Sequence, residues 1–175
     1  MPRRFDGFFS FFSVAGNFEV LLLVLLGIIV LLRRIVAGIV TFAAFGMFHV
    51  LELFGKVYVA HPPPPEFMLR TDHPFSLPQF HVRSEYSYPS GHSGRTVFLS
   101  VILLFIIWKS KLPLVLKLFF AGSILGINII MLVSRIYLGE HWTTDVVGGA
   151  LLALGLSIAS LCMYILPKKY SFLRK

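Results

Sequence analysis

Two short stretches of this chain hold residue types that together can handle a phosphate. One is Pro89-Ser90-Gly91-His92; the other runs Ser134-Arg135-Ile136-Tyr137-Leu138-Gly139-Glu140-His141-Trp142-Thr143-Thr144-Asp145. Phosphoryl transfer needs an in-line nucleophile, a proton donor for the leaving oxygen and positive charge around the equatorial oxygens. His141 and Asp145 stand four residues apart and share one face if a helix begins there. A carboxylate on one imidazole nitrogen fixes the tautomer and frees the other nitrogen to attack. Ser90, Gly91 and His92 lie at the start of an apolar segment, where backbone N–H groups and a hydroxyl can meet an anion. Arg135 closes the preceding apolar segment and can grip phosphate oxygens with two parallel N–H donors. Ionisable residues at a membrane edge are costly, which makes them functional candidates by default.

The elements that must position these residues are membrane helices. The chain has 175 residues, 57% of them hydrophobic, and a mean hydropathy of +0.82. This is too apolar for a soluble domain and fits a single membrane domain, residues 1–175. The formal net charge is +8. Positive-inside topology and anionic headgroups account for part of it, and an anionic substrate for another part. The basic residues are scattered between apolar segments, which argues against a nucleic-acid surface. The single cysteine, Cys162, sits in an apolar run, so neither an intramolecular disulfide nor a cysteine-based metal cluster can form.

The N-terminal MPRRFDGFFSFFSVAGN has no strong cleavage context and is expected to be retained. Residues 5–16 are phenylalanine-rich and too short to cross; an interfacial helix is expected, with a tilted or re-entrant segment as the alternative. Full spans are expected over 18–32, 35–55, 93–108, 112–134 and 143–166, the first borrowing from residues 14–17 to approach the roughly 20 apolar residues a crossing takes. The fold class is therefore an all-α membrane bundle of five full spans, six if residues 5–16 cross. Gly148-Gly149 and Gly155 are expected to allow close helix approach, and Asn128 to bond between helices. Residues 56–92 hold Pro62-Pro63-Pro64-Pro65 and form a long arm outside the hydrocarbon. Arg33-Arg34, Lys109 with Lys111, and Lys168-Lys169 fall on one side, which makes that side cytoplasmic. Both motifs then face the exterior or periplasm. Arg3-Arg4 fits this topology only if residues 5–16 cross or re-enter.

The two motifs resemble the second and third signatures of the type 2 phosphatidic acid phosphatase superfamily: Pro-Ser-Gly-His, and Ser-Arg followed by five residues, His, three residues and Asp. Ser134, Arg135, His141 and Asp145 match the latter without a gap, and the resemblance covers roughly residues 50–150. It implies a metal-independent phosphatase without cofactor. His141 would be the nucleophile forming a phosphohistidine, and Asp145 would orient it. His92 would protonate the leaving group and then activate water. Ser90, Gly91 and Arg135 would hold the phosphate. The family's first signature is Lys, six residues, Arg-Pro, and here the chain departs from it. Lys56 is well placed, but Pro63 stands seven residues later. Arg70 is taken as the arginine that completes this pair, with Arg83 as the alternative.

Other polar residues have plainer readings. His49, Glu52 and Lys56 lie at helical spacing as one polar stripe, with Glu52 pairing a base. Taken alone, Lys56 would be an interfacial anchor. Arg95 is either an anchor or a site neighbour. Lys117 is placed to snorkel to the interface. His61, His73 and His81 have irregular spacing and are expected as solvated loop histidines rather than metal ligands. Tyr86, Tyr88, Tyr137 and Trp142 fit an aromatic belt. The expected partners are the bilayer and a lipid phosphate or diphosphate, such as undecaprenyl diphosphate, phosphatidylglycerol phosphate or phosphatidic acid. Three rivals remain: a vanadium-dependent haloperoxidase, against which the spans argue; a non-catalytic lipid-phosphate binder or transporter; and a metal-assisted hydrolase using the loop histidines.

Overall fold

The computed structural model describes residues 3–70 and 86–171; Arg83, His73, His81 and the terminal Arg174-Lys175 lie outside the described residues. Every regular element among the described residues is helical. The order is α1 Asp6–Ala15, α2 Phe18–Leu32, α3 Ile35–Tyr58, α4 Gly91–Lys109, α5 Leu114–Tyr137 and α6 Thr143–Ser171, with 3-10 turns at Arg3–Phe5 and Glu66–Met68. Local chemistry sets the helix ends. Arg33 ends α2 in the left-handed region at φ 51°. Pro113 directly precedes α5, where a missing N–H costs nothing. Gly139 follows α5 at φ 70°, and its α-carbon faces the Met68 backbone, so only glycine fits there.

Helices α3, α4, α5 and the Thr143–Met163 stretch of α6 are each long and apolar enough to cross a membrane. Helix α2 has 15 residues. At 1.5 Å per residue it reaches about 22 Å, short of the roughly 30 Å hydrocarbon core. It qualifies only together with the segment Arg3–Ala15, from which it bends by 47°. The described residues therefore hold four to five candidate spans by length and composition.

Helix α1 turns its polar side inward: Asp6 and Ser10 are buried, while Phe8 and Phe11 are exposed. The Tyr137 hydroxyl donates to Asp6 Oδ1 at 2.9 Å, and Phe9 packs against the Tyr137 ring at 4.7 Å between centroids. At the other end of α1, Gly16 lies against the Met131 side chain, deeper along α5. The first helix thus descends along α5 before the chain bends into α2.

The core forms around Leu25, Phe45, Phe48, Phe98 and Ala153. Helix α4 is central and packs on α6, α5, α2 and α3. Half of its apolar window is buried (50%), against 11% for α5. Large apolar side chains such as Leu31, Ile35, Val115 and Phe119 point outward, as expected where lipid takes the place of water. A side chain at Gly149 would run into the Ser90 carbonyl, and one at Gly148 into the Tyr88 ring. Gly155, expected to share that role, faces open space instead. Asn128 Nδ2 donates to Ser100 Oγ at 2.6 Å, joining α5 to α4 as expected. Lys117 Nζ donates to the Trp108 carbonyl at 2.9 Å, closing the end of α4.

The arm after α3 meets the turn between α5 and α6. Arg70 N–H donates to the Leu138 carbonyl at 2.9 Å, and Trp142 Nε1 donates to the Pro62 carbonyl at 3.0 Å. Both motif regions therefore share one end of the bundle. Arg34 and Lys109 lie together at the other end, lining one groove between the helices.

Candidate active site

Helix α6 begins with a device that places its own first turn. Trp142 precedes the helix, and Asp145 at the third helical position reaches back, so that Trp142 N–H donates to Asp145 Oδ2 at 3.0 Å. This is half of a capping box, which satisfies an otherwise unpaired donor at the helix start. The same oxygen lies 3.3 Å from His141 Nδ1. Asp145 is fully buried. A buried carboxylate needs hydrogen-bonding or charged partners, and the pairing leaves His141 Nε2 as the nitrogen free of Asp145. The turn that delivers His141 is itself tied down: the Arg135 carbonyl accepts from both Glu140 N–H and His141 N–H, each at 3.2 Å.

Arg135 sits in the last turn of α5 with no exposed surface. Its Nη1 donates to Glu140 Oε2 at 2.6 Å, and its Nε to Ser134 Oγ at 3.3 Å. Its Nη2 is buried with no partner among the described residues. A charged, fork-shaped donor held by two of its nitrogens presents the third in a fixed direction.

Helix α4 supplies the Ser-Gly-His group. No side chain caps its start, so the first-turn N–H groups keep their capacity for an anion. Ser90 is fully buried. Its N–H donates to the Asp145 carbonyl at 2.9 Å, stitching the start of α4 to that of α6. A side chain at Gly91 would meet Glu52 and Arg95, so glycine makes room for that pair. His92 Nε2 lies 3.0 Å from Asn17 Oδ1. Since that oxygen only accepts, Nε2 carries the hydrogen. His92 is within electrostatic reach of Arg135, Arg95, His141 and Lys56.

On α3, Glu52 joins two bases. Lys56 Nζ donates to Glu52 Oε1 at 2.8 Å, and Arg95 Nη1 to Glu52 Oε2 at 3.3 Å. Arg95 Nε also donates to the Gly16 carbonyl at 3.3 Å. The sequence pairs Glu52 with a base; the structure gives it two. Arg95 is thereby fixed beside the site, with no role as a surface anchor.

Lys56, Ser90, Gly91, His92, Arg135, His141 and Asp145 thus gather where α3, α4, α5 and α6 meet. Arg70 is on the arm next to Leu138, with its guanidinium 5.2 Å from the Tyr137 ring centroid. Its Nη1 is buried without a partner among the described residues. Arg83 lies outside them.

Three residues at the site escape sequence reasoning. Asn17 and Glu140 touch His92 and Arg135. Glu140 had a local signal, five residues from Arg135 in the same turn. Asn17 had none. The third is His61, expected to be solvated. Its Nδ1 is 3.0 Å from Asp145 Oδ1, and its Nε2 is 3.2 Å from Thr144 Oγ1. Tyr88 and Trp142, read as belt residues, pack on Gly148 and reach Pro62, so both brace the site.

A search of curated proteins found no match. Among solved structures, one similar fold is the first transmembrane PAP2 type phosphatidylglycerolphosphate phosphatase from Bacillus subtilis, with a TM-score of 0.71 and 23% identity over 90% of this chain and 75% of that one. Aquifex aeolicus LpxE is also similar, with a TM-score of 0.64 and 24% identity over 89% of this chain and 84% of that one. At these identities the likeness establishes the fold. A model of the PAP2 superfamily matches residues 22–171, an interval that holds both motifs, Lys56 and Arg70. The chain belongs to the PAP2 superfamily.

Proposed function

We propose that this protein is a metal-independent phosphatase of membrane lipids that works through a phosphohistidine, with residues 1–175 as one catalytic membrane domain. The observation that carries the reading is His141, held at Nδ1 by buried Asp145, at the end of the bundle where buried donors have no partner among the described residues. Those donors are Arg135 Nη2 and Arg70 Nη1. A buried donor left unpaired costs about 1–3 kcal/mol, and phosphate oxygens would relieve that cost.

His141 Nε2 attacks phosphorus in line, and the bond from phosphorus to the lipid oxygen breaks. His92, protonated on both nitrogens, gives its Nδ1 proton to that oxygen as it leaves and keeps its Nε2 hydrogen on Asn17. Asp145 stabilises the cation that develops on His141. Water then attacks the phosphohistidine, His92 takes a proton from it, the phosphorus–nitrogen bond breaks, and inorganic phosphate leaves. Arg135, Lys56, Arg70, Ser90 and the Gly91 backbone N–H hold the equatorial oxygens.

The bundle makes five crossings in this reading, with α1 as the tilted outer part of a broken first span. The inward polar face of α1 and its descent along α5 support this arrangement. The site faces the extracytoplasmic side, because Arg34 and Lys109 mark the opposite end. A lipid diffusing laterally presents its headgroup phosphate there and keeps its acyl chains in the bilayer. Undecaprenyl diphosphate, phosphatidylglycerol phosphate and phosphatidic acid are the substrates to try.

The test is phosphate release from these lipids by detergent-purified protein in the presence of a metal chelator, with His141→Ala as control. Release by wild type alone is expected. Silence on every lipid would overturn the reading in favour of lipid-phosphate binding without turnover, and chelator sensitivity would return the metal-assisted hydrolase.

A further inference from the structure

The catalytic carboxylate has two histidines, and the reaction proposed above uses only one. Asp145 Oδ2 serves His141 and the Trp142 N–H. Its Oδ1 is fully buried and 3.0 Å from His61 Nδ1, without an aligned hydrogen bond to any described residue. His61 Nδ1 is also 3.4 Å from Ser87 Oγ, which in turn can donate to the His61 carbonyl at 3.3 Å. Ser87 also lies within hydrogen-bond reach of the Asp145 carboxylate; its one hydrogen goes to that carboxylate or to the His61 carbonyl, so towards Nδ1 its oxygen accepts, and the carboxylate likewise only accepts. Both neighbours therefore require the hydrogen on Nδ1. The other ring nitrogen, Nε2, is 3.2 Å from Thr144 Oγ1 and takes that hydroxyl's hydrogen when the ring is neutral.

The backbone around His61 is equally constrained. Ser87 N–H donates to the His61 carbonyl at 3.0 Å, the Pro62 carbonyl accepts from Trp142 Nε1 at 3.0 Å, and the Tyr88 ring lies 6.0 Å from the imidazole. This histidine is built into the wall of the site, five residues beyond Lys56 on an arm whose sequence departs from the family's arginine-proline pattern.

We propose that His61 is a positioning residue for the reaction: its Nδ1–H, with Nε2 anchored by Thr144, holds the Asp145 carboxylate in the rotamer that keeps Oδ2 on His141. A carboxylate hydrogen-bonded on one oxygen alone can rotate away from the nucleophile. Partners outside the reacting set fix such rotations, and the comparable outer partners of metal-ligating residues cost roughly 10–100-fold when lost. The role rests on the phosphohistidine reading, because it acts through Asp145 on His141.

The experiment uses full-length protein in detergent and compares wild type, His61→Ala, His61→Asn and Thr144→Val. It reads kcat and KM on a lipid phosphate that the wild type hydrolyses, together with the ring resonances of His141 in histidine-15N-labelled protein. His61→Ala is expected to lower kcat roughly 10–100-fold with KM unchanged, and to shift the His141 ring resonances. Asparagine keeps an N–H donor near the place of Nδ1, so His61→Asn should recover most of the rate and the wild-type resonances. Thr144→Val should cause a smaller loss in the same direction, and it decides the matter if His61→Ala does not fold. Unchanged kcat and unchanged His141 resonances in the variants would overturn the proposal. So would a rise in KM alone, which would make His61 a substrate contact. If the wild type itself releases no phosphate, the phosphatase reading fails, while the His141 resonances still decide whether His61 positions Asp145.

Discussion

The Asn17 carboxamide oxygen and His92 Nε2 lie 3.0 Å apart and 75 residues apart in the chain. The bend between α1 and α2 thereby supplies a ligand to the imidazole read as the acid of the reaction. Removing a hydrogen bond that orients this ring should slow the proton transfers and leave substrate binding largely intact. Asn17→Ala is expected to lower kcat about tenfold, equivalent to about 1.4 kcal/mol. Steady-state kinetics on a lipid phosphate would read this directly. A wild-type rate would remove Asn17 from any part in catalysis.

The His141–Asp145 pair carries the largest expected effect. His141→Ala should abolish turnover and also the phosphorylated protein that quenching in alkaline detergent would otherwise trap, since the phosphorus–nitrogen bond is lost in acid. Asp145→Asn keeps the shape but offers the wrong hydrogen to Nδ1. A loss of roughly 10^3–10^4 in kcat is expected, the scale seen when a catalytic histidine loses its carboxylate. Retained phosphoprotein in His141→Ala would move the nucleophile elsewhere.

Arg135 tests geometry against charge. A lysine would keep the positive charge but could not reach Glu140, Ser134 and a phosphate oxygen at once. Arg135→Lys should therefore lower kcat/KM roughly 10–100-fold, the loss of one charge-assisted hydrogen bond. Near-normal kcat/KM in that variant would show that charge alone suffices.

The rebuilt first motif can be settled by a paired substitution. Arg70 is fixed to Leu138 through its backbone, and its side chain has an unpaired buried nitrogen among the described residues. Arg70→Ala is expected to raise KM more than Arg83→Ala does, measured on the same lipid. The reverse order would transfer the role to Arg83.

The membrane class, the positions of the helices and the two motifs were legible in the sequence because each is local. Apolar runs of span length need no partner to be recognised, and the spacing of Arg135, His141 and Asp145 survives unchanged into the turn between α5 and α6. Helix ends were read less well. Lys56 falls inside α3 and Arg135 inside α5, because both helices run a turn further than their apolar runs. Asn17 and His61 were beyond reach for a different reason. Their partners come from helices far along the chain, and neither residue type nor spacing marks an asparagine at a bend or a histidine beside four prolines as part of a site. Gly155 shows the opposite error: a glycine in a membrane helix signals close packing only when a neighbour is there to approach.

The bond from Ser90 N–H to the Asp145 carbonyl, with Gly149 admitting the Ser90 backbone, has a consequence for how such enzymes diversify. It locks the helix bearing the acid to the helix bearing the nucleophile's partner, so the distance between the two half-reactions is set by main chain alone. The proline-rich arm carries Arg70 and His61 but contributes nothing to that lock. Rewriting the arm therefore leaves the spacing of those two helices in place, while the aim of the Asp145 carboxylate, which His61 is proposed to hold, changes with it.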